Sequence, residues 1–245
     1  MAQTPTIRLF DAEPDLIRFL GPEESEQARE TQLPVHSLGK GDADIRSLFE
    51  DTGAFGAVVL EGMLLQTLRL GNHSGLRLLG PSDALSITQA PRSILVIEST
   101  CRATVPTRLA LLEREMLMAV RRWPQIAAGL HAHTGEQSER LMTQLMICQL
   151  PRVDERILAL MWLLAESWGQ VTPAGTFVPI NLTHSALGGL IGARRPTVTL
   201  ALGNLANAGM LRRQERGWLL QGSPDQLASA GAAHRAAPSG ASSRD

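Results

Sequence analysis

The chain has 245 residues, of which 44% are hydrophobic and 19% charged, and its formal net charge at pH 7 is −1. This length and hydrophobic content suffice for one large domain or two ordinary ones, and two are predicted. Because the whole chain is not basic, any attraction to nucleic acid must come from a local excess of positive charge. Cys101 and Cys148 lack the paired spacing of a zinc or iron–sulfur site, which favours a reducing cytoplasm.

The first half of the chain changes from a polar start to a series of short apolar runs. Residues 1–30 are polar with scattered apolar positions, which predicts one or two short helices. From Thr31 to Val105, runs such as VVL, MLLQTLRL, GLRLL and SILVI are separated by turn residues, among them Gly71-Asn72 and Gly80-Pro81. Short strands at this spacing predict a sandwich or a jelly-roll-like barrel.

Two helices are predicted after the strands, from Thr107 to Arg122 and from Pro124 to Leu150. The second is long, and it carries residues at steps of four and three that approach a coiled-coil seam, namely Leu130, Thr134, Gln137, Leu141, Leu145 and Cys148. This pattern predicts pairing with a second copy of the helix. The alternative left open is a helix that packs only on its own β-domain.

Pro151 marks a predicted domain boundary, after which the charge balance changes. Residues 151–221 contain seven arginines against four acidic residues, a net charge of +3, so the acidic excess lies elsewhere in the chain. Arg152 to Trp168 is predicted to form the apolar core helix of this domain, and Gln170 to Ile180 a turn with short strands. Ser223 to Asp245, rich in Ala, Ser, Gly and Pro, is predicted to be disordered.

The stretch from Leu182 to Leu211, LTHSALGGLIGARRPTVTLALGNLANAGML, predicts a helix, a tight turn and a second helix. Thr183 is a suitable N-cap, Gly192 can end the first helix at positive φ, and Pro196 suits the first turn of the second. Leu187, Leu190 and Ile191, and then Val198, Leu202 and Leu205, supply apolar faces at helical spacing. Leu211 to Gln221 predicts two strands around a Glu215–Gly217 turn. Together these elements predict a winged helix-turn-helix.

This stretch resembles the helix-turn-helix of the cyclic-AMP receptor/fumarate-nitrate regulator (Crp/Fnr) superfamily of bacterial transcription factors. The resemblance implies an α+β fold with a cyclic-nucleotide-binding-type β-roll over residues 1–123, a dimerisation helix over 124–150 and a winged helix-turn-helix over 151–222, followed by the tail 223–245. It also implies a homodimeric regulator of transcription that binds a palindromic double-stranded DNA operator and contacts RNA polymerase.

The resemblance also indicates which residues contact DNA. Arg195 matches the superfamily's base-reading arginine, whereas the glutamate expected next is Pro196 and a later arginine is Leu200. The operator sequence of the cyclic-AMP receptor therefore does not transfer to this chain. The remaining predicted DNA-binding residues are expected to contact phosphates or to make secondary contacts with bases. They are Arg194, Thr197 and Thr199 in the helix-turn-helix, and Arg212, Arg213 and Arg216 in the wing.

The effector of the β-roll is left unknown. Arg92-Ser93 could be the pair that holds a cyclic phosphate in the superfamily, but the preceding glutamate and helical turn are missing, so the cyclic-nucleotide motif is incomplete. Two isolated cysteines exclude an iron–sulfur sensor. Haem would require His36 or His73 as an axial ligand. A degenerate β-roll without a ligand is the remaining alternative.

Other function classes receive less support from the sequence. No paired carboxylates, nucleophile elbow or phosphate-binding glycine loop point to an enzyme, and no signal segment or run of roughly 18 apolar residues points to secretion or a membrane. A cupin-like metal-binding protein would have to use His131 and His133, which point apart on a helix. A winged helix that binds protein instead of DNA is the second alternative, against which the arginines argue.

Overall fold

The computed structural model describes residues 5–86 and 94–224 of the chain. The chain divides into two compact units, Met1–Met142 and Thr143–Asp245. Helix α5 (Gln125–Cys148) belongs mostly to the first unit and ends in the second.

The first unit combines strands with short helices. Its strands are β1 (Thr6–Arg8), β2 (Gln32–Leu38), β3 (Gly41–Ala43), β4 (Gly56–Glu61), β5 (Leu64–Leu70), β6 (His73–Leu79), β7 (Ala84–Leu85), β8 (Glu98–Ala103) and β9 (Thr107–Leu112). Its other helices are α1 (Leu9–Ala12), α2 (Pro22–Arg29), α3 (Ile45–Thr52) and α4 (Arg114–Arg122), with a 3₁₀ turn at Pro14–Ile17.

These strands form two antiparallel sheets with the orders β1-β2-β9-β4-β7 and β3-β8-β5-β6. Side chains of β4 alternate, so Val59 packs between the two sheets whereas Val58 packs against the N-terminal helices and α4. β4 and β9 are therefore buried on both faces, which explains the continuous apolar runs GAVVL and RLALL. The expected β-roll is confirmed, but the predicted strand at SILVI is wrong: residues 94–97 are exposed and form no strand, and β8 begins at Glu98.

The predicted helix from Thr107 to Arg122 is wrong in its first half. Residues 107–112 form β9, whose side chains alternate between the two cores, and the helix begins at Arg114. Apolar spacing in RLALLEREML suits a helix, but a central strand buries the same residues on two faces at once. Helix α3 was not predicted; its N-cap is Asp44, which accepts from the backbone N–H of Ser47 at 3.0 Å.

The second unit is a winged helix. It contains α6 (Val153–Trp168), β10 (Gln170–Thr172), β11 (Gly175–Val178), α7 (His184–Ile191), α8 (Arg195–Asn207), β12 (Leu211–Gln214) and β13 (Gly217–Leu220). The strands form an antiparallel sheet of order β10-β11-β13-β12. Helix α6 packs against α7, α8 and β11 with Ile157, Leu160 and Leu164 buried. The predicted core helix, helix-turn-helix and wing are confirmed.

Helix α5 exposes a stripe of residues at steps of three and four: Gly135, Ser138, Met142 and Leu145. Two large apolar side chains lie in it, Met142 with 60% and Leu145 with 59% of its surface exposed, and Met146 beside them is 68% exposed. Met142, Leu145 and Met146 are the large apolar side chains of α5 that are exposed among the described residues.

The stripe differs from the seam that the sequence predicted. Leu130 packs against the core beneath the N-terminal helices, Gln137 donates to the Ala84 carbonyl at 3.2 Å, and Cys148 donates to the Leu190 carbonyl at 3.5 Å. Those positions are used inside the chain, and of the predicted large apolar residues Leu145 alone lies in the stripe. The candidate seam therefore moves by about one residue along the helix.

Candidate nucleic-acid interface

The turn between α7 and α8 is fixed by local hydrogen bonds and by two glycines. The Thr183 hydroxyl accepts from the Ala186 N–H at 3.1 Å, and Gly192 adopts a φ of +65°. The Ala193 N–H donates to the Gly188 carbonyl at 2.8 Å, and a Cβ at Gly188 would lie 2.4 Å from the Ala193 carbonyl oxygen. The predicted cap and helix stop are confirmed, and glycine is required where the turn crosses α7.

Helix α8 buries one side in the second unit and exposes the other. Its buried residues are Val198, Ala201, Leu202 and Leu205. Arg195 is the first residue of the helix and Arg194 is its N-cap; both are exposed, and neither forms an ion pair with any residue that the structure describes. Two guanidinium groups are therefore free to meet an anion or a base edge.

The two threonines of α8 differ in their surroundings. The Thr199 hydroxyl donates to the Arg195 carbonyl at 3.0 Å and lies 2.8 Å from Nδ1 of His184, at the start of α7. Since its one proton is used on the carbonyl, it accepts from His184, which assigns a hydrogen to Nδ1. Thr199 thus joins the two helices. Thr197 is exposed, and no hydrogen bond of its side chain occurs in the described ranges.

The wing is the β12–β13 hairpin, which turns at Glu215 and Arg216. Arg212 and Arg216 are exposed and form no ion pair within residues 5–86 and 94–224. Arg213 donates to the side-chain oxygen of Asn181, and its guanidinium carbon lies 4.8 Å from the ring centre of the buried Trp218. Arg212 and Arg216 therefore present free charge, whereas Arg213 also anchors the wing.

Side chains from α5 and α6 donate hydrogen bonds to backbone carbonyls at the C-terminal end of α7. The Leu190 carbonyl accepts from Gln144 at 2.9 Å and from the Cys148 thiol, and the Ile191 carbonyl accepts from Arg156 at 3.3 Å. Burial raises the pKa of the Cys148 thiol, against the opposing effect of Arg156, so the group keeps the proton that it donates. These contacts were not predictable, because nothing local in the sequence signals them.

The β-roll contains a half-buried polar cluster that is not predictable from the sequence either. Arg77 on β6 donates to Gln66 on β5 at 2.5 Å, and Arg140 on α5 pairs with the buried Asp83, which also accepts from the Gly80 N–H at 2.9 Å. Burial lowers the pKa of the Arg77 guanidinium, while the Asp83 carboxylate acts in the opposite direction. The cluster links the strands to α5.

The predicted effector pair, Arg92 and Ser93, lies outside the described residues. Among the residues that are described, no three His, Cys, Asp or Glu side chains are arranged to hold a metal ion. None of the helices described is both long enough and apolar enough to span a membrane.

Residues 155–230 match the family model of the Crp-like helix-turn-helix domain. Three solved structures resemble most of the chain. FixK2 from Bradyrhizobium japonicum is 16% identical, with a TM-score of 0.61 over 80% of this chain and 96% of that one. A CooA mutant from Carboxydothermus hydrogenoformans is 16% identical, with a TM-score of 0.60 over 81% and 87%. TTHB099, a CRP-family transcriptional regulator from Thermus thermophilus, is 17% identical, with a TM-score of 0.56 over 79% and 96%. No curated protein matches the sequence.

A β-roll followed along the chain by a winged helix, with two exposed arginines at the start of α8, defines the fold class. The C-terminal unit is a Crp-like helix-turn-helix domain, and the fold around it is that of the Crp/Fnr proteins. The resemblance found in the sequence is therefore confirmed, for residues 155–230 by the family model and for the fold by the solved structures.

Proposed function

We propose that the chain binds a palindromic operator as a homodimer and that Arg195 reads a guanine in each half-site. The exposed Arg195 at the head of α8, without an acidic partner in the described structure, is the observation that carries this proposal. A guanidinium group can donate to O6 and N7 of guanine together, a contact that contributes about 1–3 kcal/mol of base discrimination. Thr197, inside the first turn of the helix, and Arg194 are proposed as neighbouring contacts.

The homodimer follows from the exposed stripe of α5. Met142 and Leu145 lie at heptad spacing with Ser138 and Gly135, whose small side chains allow a second helix to approach closely. A dimer places two recognition helices about one turn of DNA apart, as a palindromic operator requires. Burying this apolar surface against a second copy also removes it from water.

The wing is proposed to contribute affinity without base discrimination. Arg212 and Arg216 are exposed at the hairpin and can contact phosphates, while Arg213 can do so only beside its contacts with Asn181 and Trp218. Each phosphate neutralised releases counterions, so these residues should account for much of the salt dependence of binding.

The β-roll is proposed to control the winged helix, with or without an effector. Arg92 and Ser93 remain the candidates for holding one. The ion pair of Asp83 with Arg140 supports a coupling role, since it ties the roll to α5. The protein is proposed to act in the cytoplasm, by binding DNA and RNA polymerase and not by catalysis.

Selection of bound DNA from a random pool at about 0.15 M salt, in parallel with wild-type protein and R195A, tests the proposal. The wild type is expected to enrich a palindrome whose half-sites lie about one helical turn apart, with a guanine that R195A no longer requires. The same enriched sequence for both proteins would rule out Arg195 as the guanine reader.

The wing is tested separately through the salt dependence of binding. R212A and R216A should weaken specific and non-specific binding alike and reduce the slope of log affinity against log salt by about one for each phosphate that the variant no longer neutralises. An unchanged slope would show that Arg212 and Arg216 do not contact phosphates, whatever the result for Arg195. Binding that does not depend on salt would favour a protein partner for the winged helix.

A further inference from the structure

Leu200 is the most prominent apolar side chain on the exposed face of the recognition helix. It is the sixth residue of α8, and 67% of its surface is exposed. One turn before it stand the short side chains of Pro196 and Thr197. One turn after it, Gly203 has no side chain, and a Cβ there would meet nothing within 4 Å. Asn204 also follows one turn after it, and Leu200 keeps most of its surface exposed beside these residues.

We infer that Leu200 reads thymine, by packing its methyl groups against the C5-methyl group in the major groove. Thymine alone among the four bases presents a methyl group there, and an apolar side chain is its matching contact. Cytosine carries only a hydrogen at C5, and its N4 amino group, in the place of thymine O4, is a hydrogen-bond donor that a leucine side chain would remove from water without replacing the bond. An exposed leucine therefore discriminates between these bases by burial instead of by hydrogen bonding.

The side chains near Leu200 on α8 are not placed to contact the same thymine. Arg195 lies five residues earlier, about 7.5 Å along the helix axis, so the two side chains reach different base pairs. Between them, Val198 is buried and the Thr199 hydroxyl is engaged by His184 and by the Arg195 carbonyl. Each half-site should then contain a guanine read by Arg195 and, one or two base pairs away, a thymine read by Leu200. This inference rests on the proposed function.

The test is a double-substitution cycle in which the thymine C5-methyl group and the Leu200 side chain are removed separately and together. Each thymine of the selected operator is replaced in turn by deoxyuridine, which lacks only the C5-methyl group, symmetrically in both half-sites. Affinities of the wild type and of L200A are measured by fluorescence anisotropy. Removal of the thymine methyl group should weaken wild-type binding about fourfold per half-site, or about fifteenfold for the dimer, at one thymine position.

The variants show whether Leu200 is the residue responsible. L200A should bind the thymine and deoxyuridine operators equally, L200M should retain the preference for thymine, and R195A should retain it at reduced affinity. Equal losses for wild type and L200A at every thymine would overturn the inference, as would a wild type that is insensitive at all of them. A wild type that selects no sequence would overturn the proposed function, and this inference with it. Unchanged melting temperatures confirm that the variants fold, because Leu200 is exposed.

Discussion

Gly188 and Gly203 lie on the two helices of the same motif in opposite surroundings. A Cβ at Gly188 would lie 2.4 Å from the Ala193 backbone, whereas one at Gly203 would meet nothing within 4 Å. G188A is therefore expected to lower the free energy of unfolding by about 1–3 kcal/mol, because the turn has to shift. G203A should raise it by up to about 1 kcal/mol through helix propensity. Urea unfolding of both variants measures the difference, and a change of the same sign for both would contradict the geometry.

Glu13 should make the stability of the protein depend on pH. It accepts from the Ser82 hydroxyl at 2.8 Å, and burial raises its pKa more than the Ser82 hydrogen bond and the nearby His133 lower it. A carboxyl group whose pKa is higher in the folded state contributes stability below its ordinary pKa, which is lost as pH rises through the folded value. E13Q, which cannot ionise, should therefore gain stability relative to the wild type between about pH 4 and pH 7.

Melting temperatures of wild type and E13Q across this range test the sign. A difference that stays constant with pH would show that Glu13 does not titrate differently on folding. A difference that grows in favour of the wild type as pH rises would mean that its pKa is lowered instead.

Single residues were predictable where their role is local. The cap at Thr183, the positive φ of Gly192 and the first-turn place of Pro196 follow from the chemistry of a few neighbouring residues. The contacts of Gln144 and Arg156 with the end of α7 were not predictable, because they join residues 46 and 35 positions apart. Whether Arg195 reads DNA remains a prediction.

At the scale of single elements, the exposed stripe of α5 predicts how two copies of the chain associate. M142E and L145E place charges in the exposed stripe and should dissociate the homodimer, since a buried pair of like charges has no compensating partner. M118E is the matched control, because Met118 is 52% exposed on α4 and outside the stripe. Analytical ultracentrifugation should find monomers for the first two variants and dimers for the control. If the wild-type protein is monomeric at all concentrations, the proposal that two copies pair through this stripe is wrong.

Arg156 on α6 donates to backbone carbonyls of the α5–α6 connection and of α7. Its Nε donates to the Leu150 carbonyl at 2.6 Å and its Nη1 to the Ile191 carbonyl at the end of α7. R156M leaves both carbonyls without this donor and should lower the free energy of unfolding by about 1–3 kcal/mol. R152M is the control: Arg152 pairs with Asp154 at the surface, so its loss should cost less than about 1 kcal/mol. Equal effects in urea unfolding would contradict the role of Arg156.

The type of most elements was predictable, but not which face each would bury. The apolar run that ends β9 fits a helix and a central strand alike, and the sheet decides between them by burying both faces of the strand. On α5, periodicity shows two apolar sides without showing which one the protein itself covers. Leu130 packs against the apolar core of the first unit, and Gln137 donates to the Ala84 carbonyl, so neither residue lies in the exposed stripe.

At the scale of the whole molecule, the proposed operator binding should be linked to folding. A ligand that binds only the folded protein stabilises it, by about 2.7 kcal/mol at a hundredfold excess over its Kd. Operator DNA should therefore raise the melting temperature of the wild type, and R195A should gain only as much as scrambled DNA provides. Differential scanning fluorimetry with operator and scrambled duplexes makes this comparison. Equal stabilisation by both duplexes in the wild type would mean that binding is entirely electrostatic.

The overall plan was predictable because the composition changes along the chain, from short strands to long helices to an arginine-rich end. The helix-turn-helix, the part with the most constrained local pattern, is also the part that the family model matches. The half-buried polar cluster with Arg77 and Arg140 was not predictable, since its residues come from strands and a helix far apart in the sequence.

The sheet of the second unit pairs β11 directly with β13, so Val178 and Trp218 are neighbours across the ladder. Everything that is proposed to touch DNA lies between these two positions in the sequence. The two ends of this segment lie side by side, and its strand β12 pairs with β13 at the edge of the same sheet. Residues 179–216 form an insert with fixed ends. Such a segment can be exchanged as a unit for that of another winged helix, which would transfer operator preference while leaving the dimer and the β-roll in place.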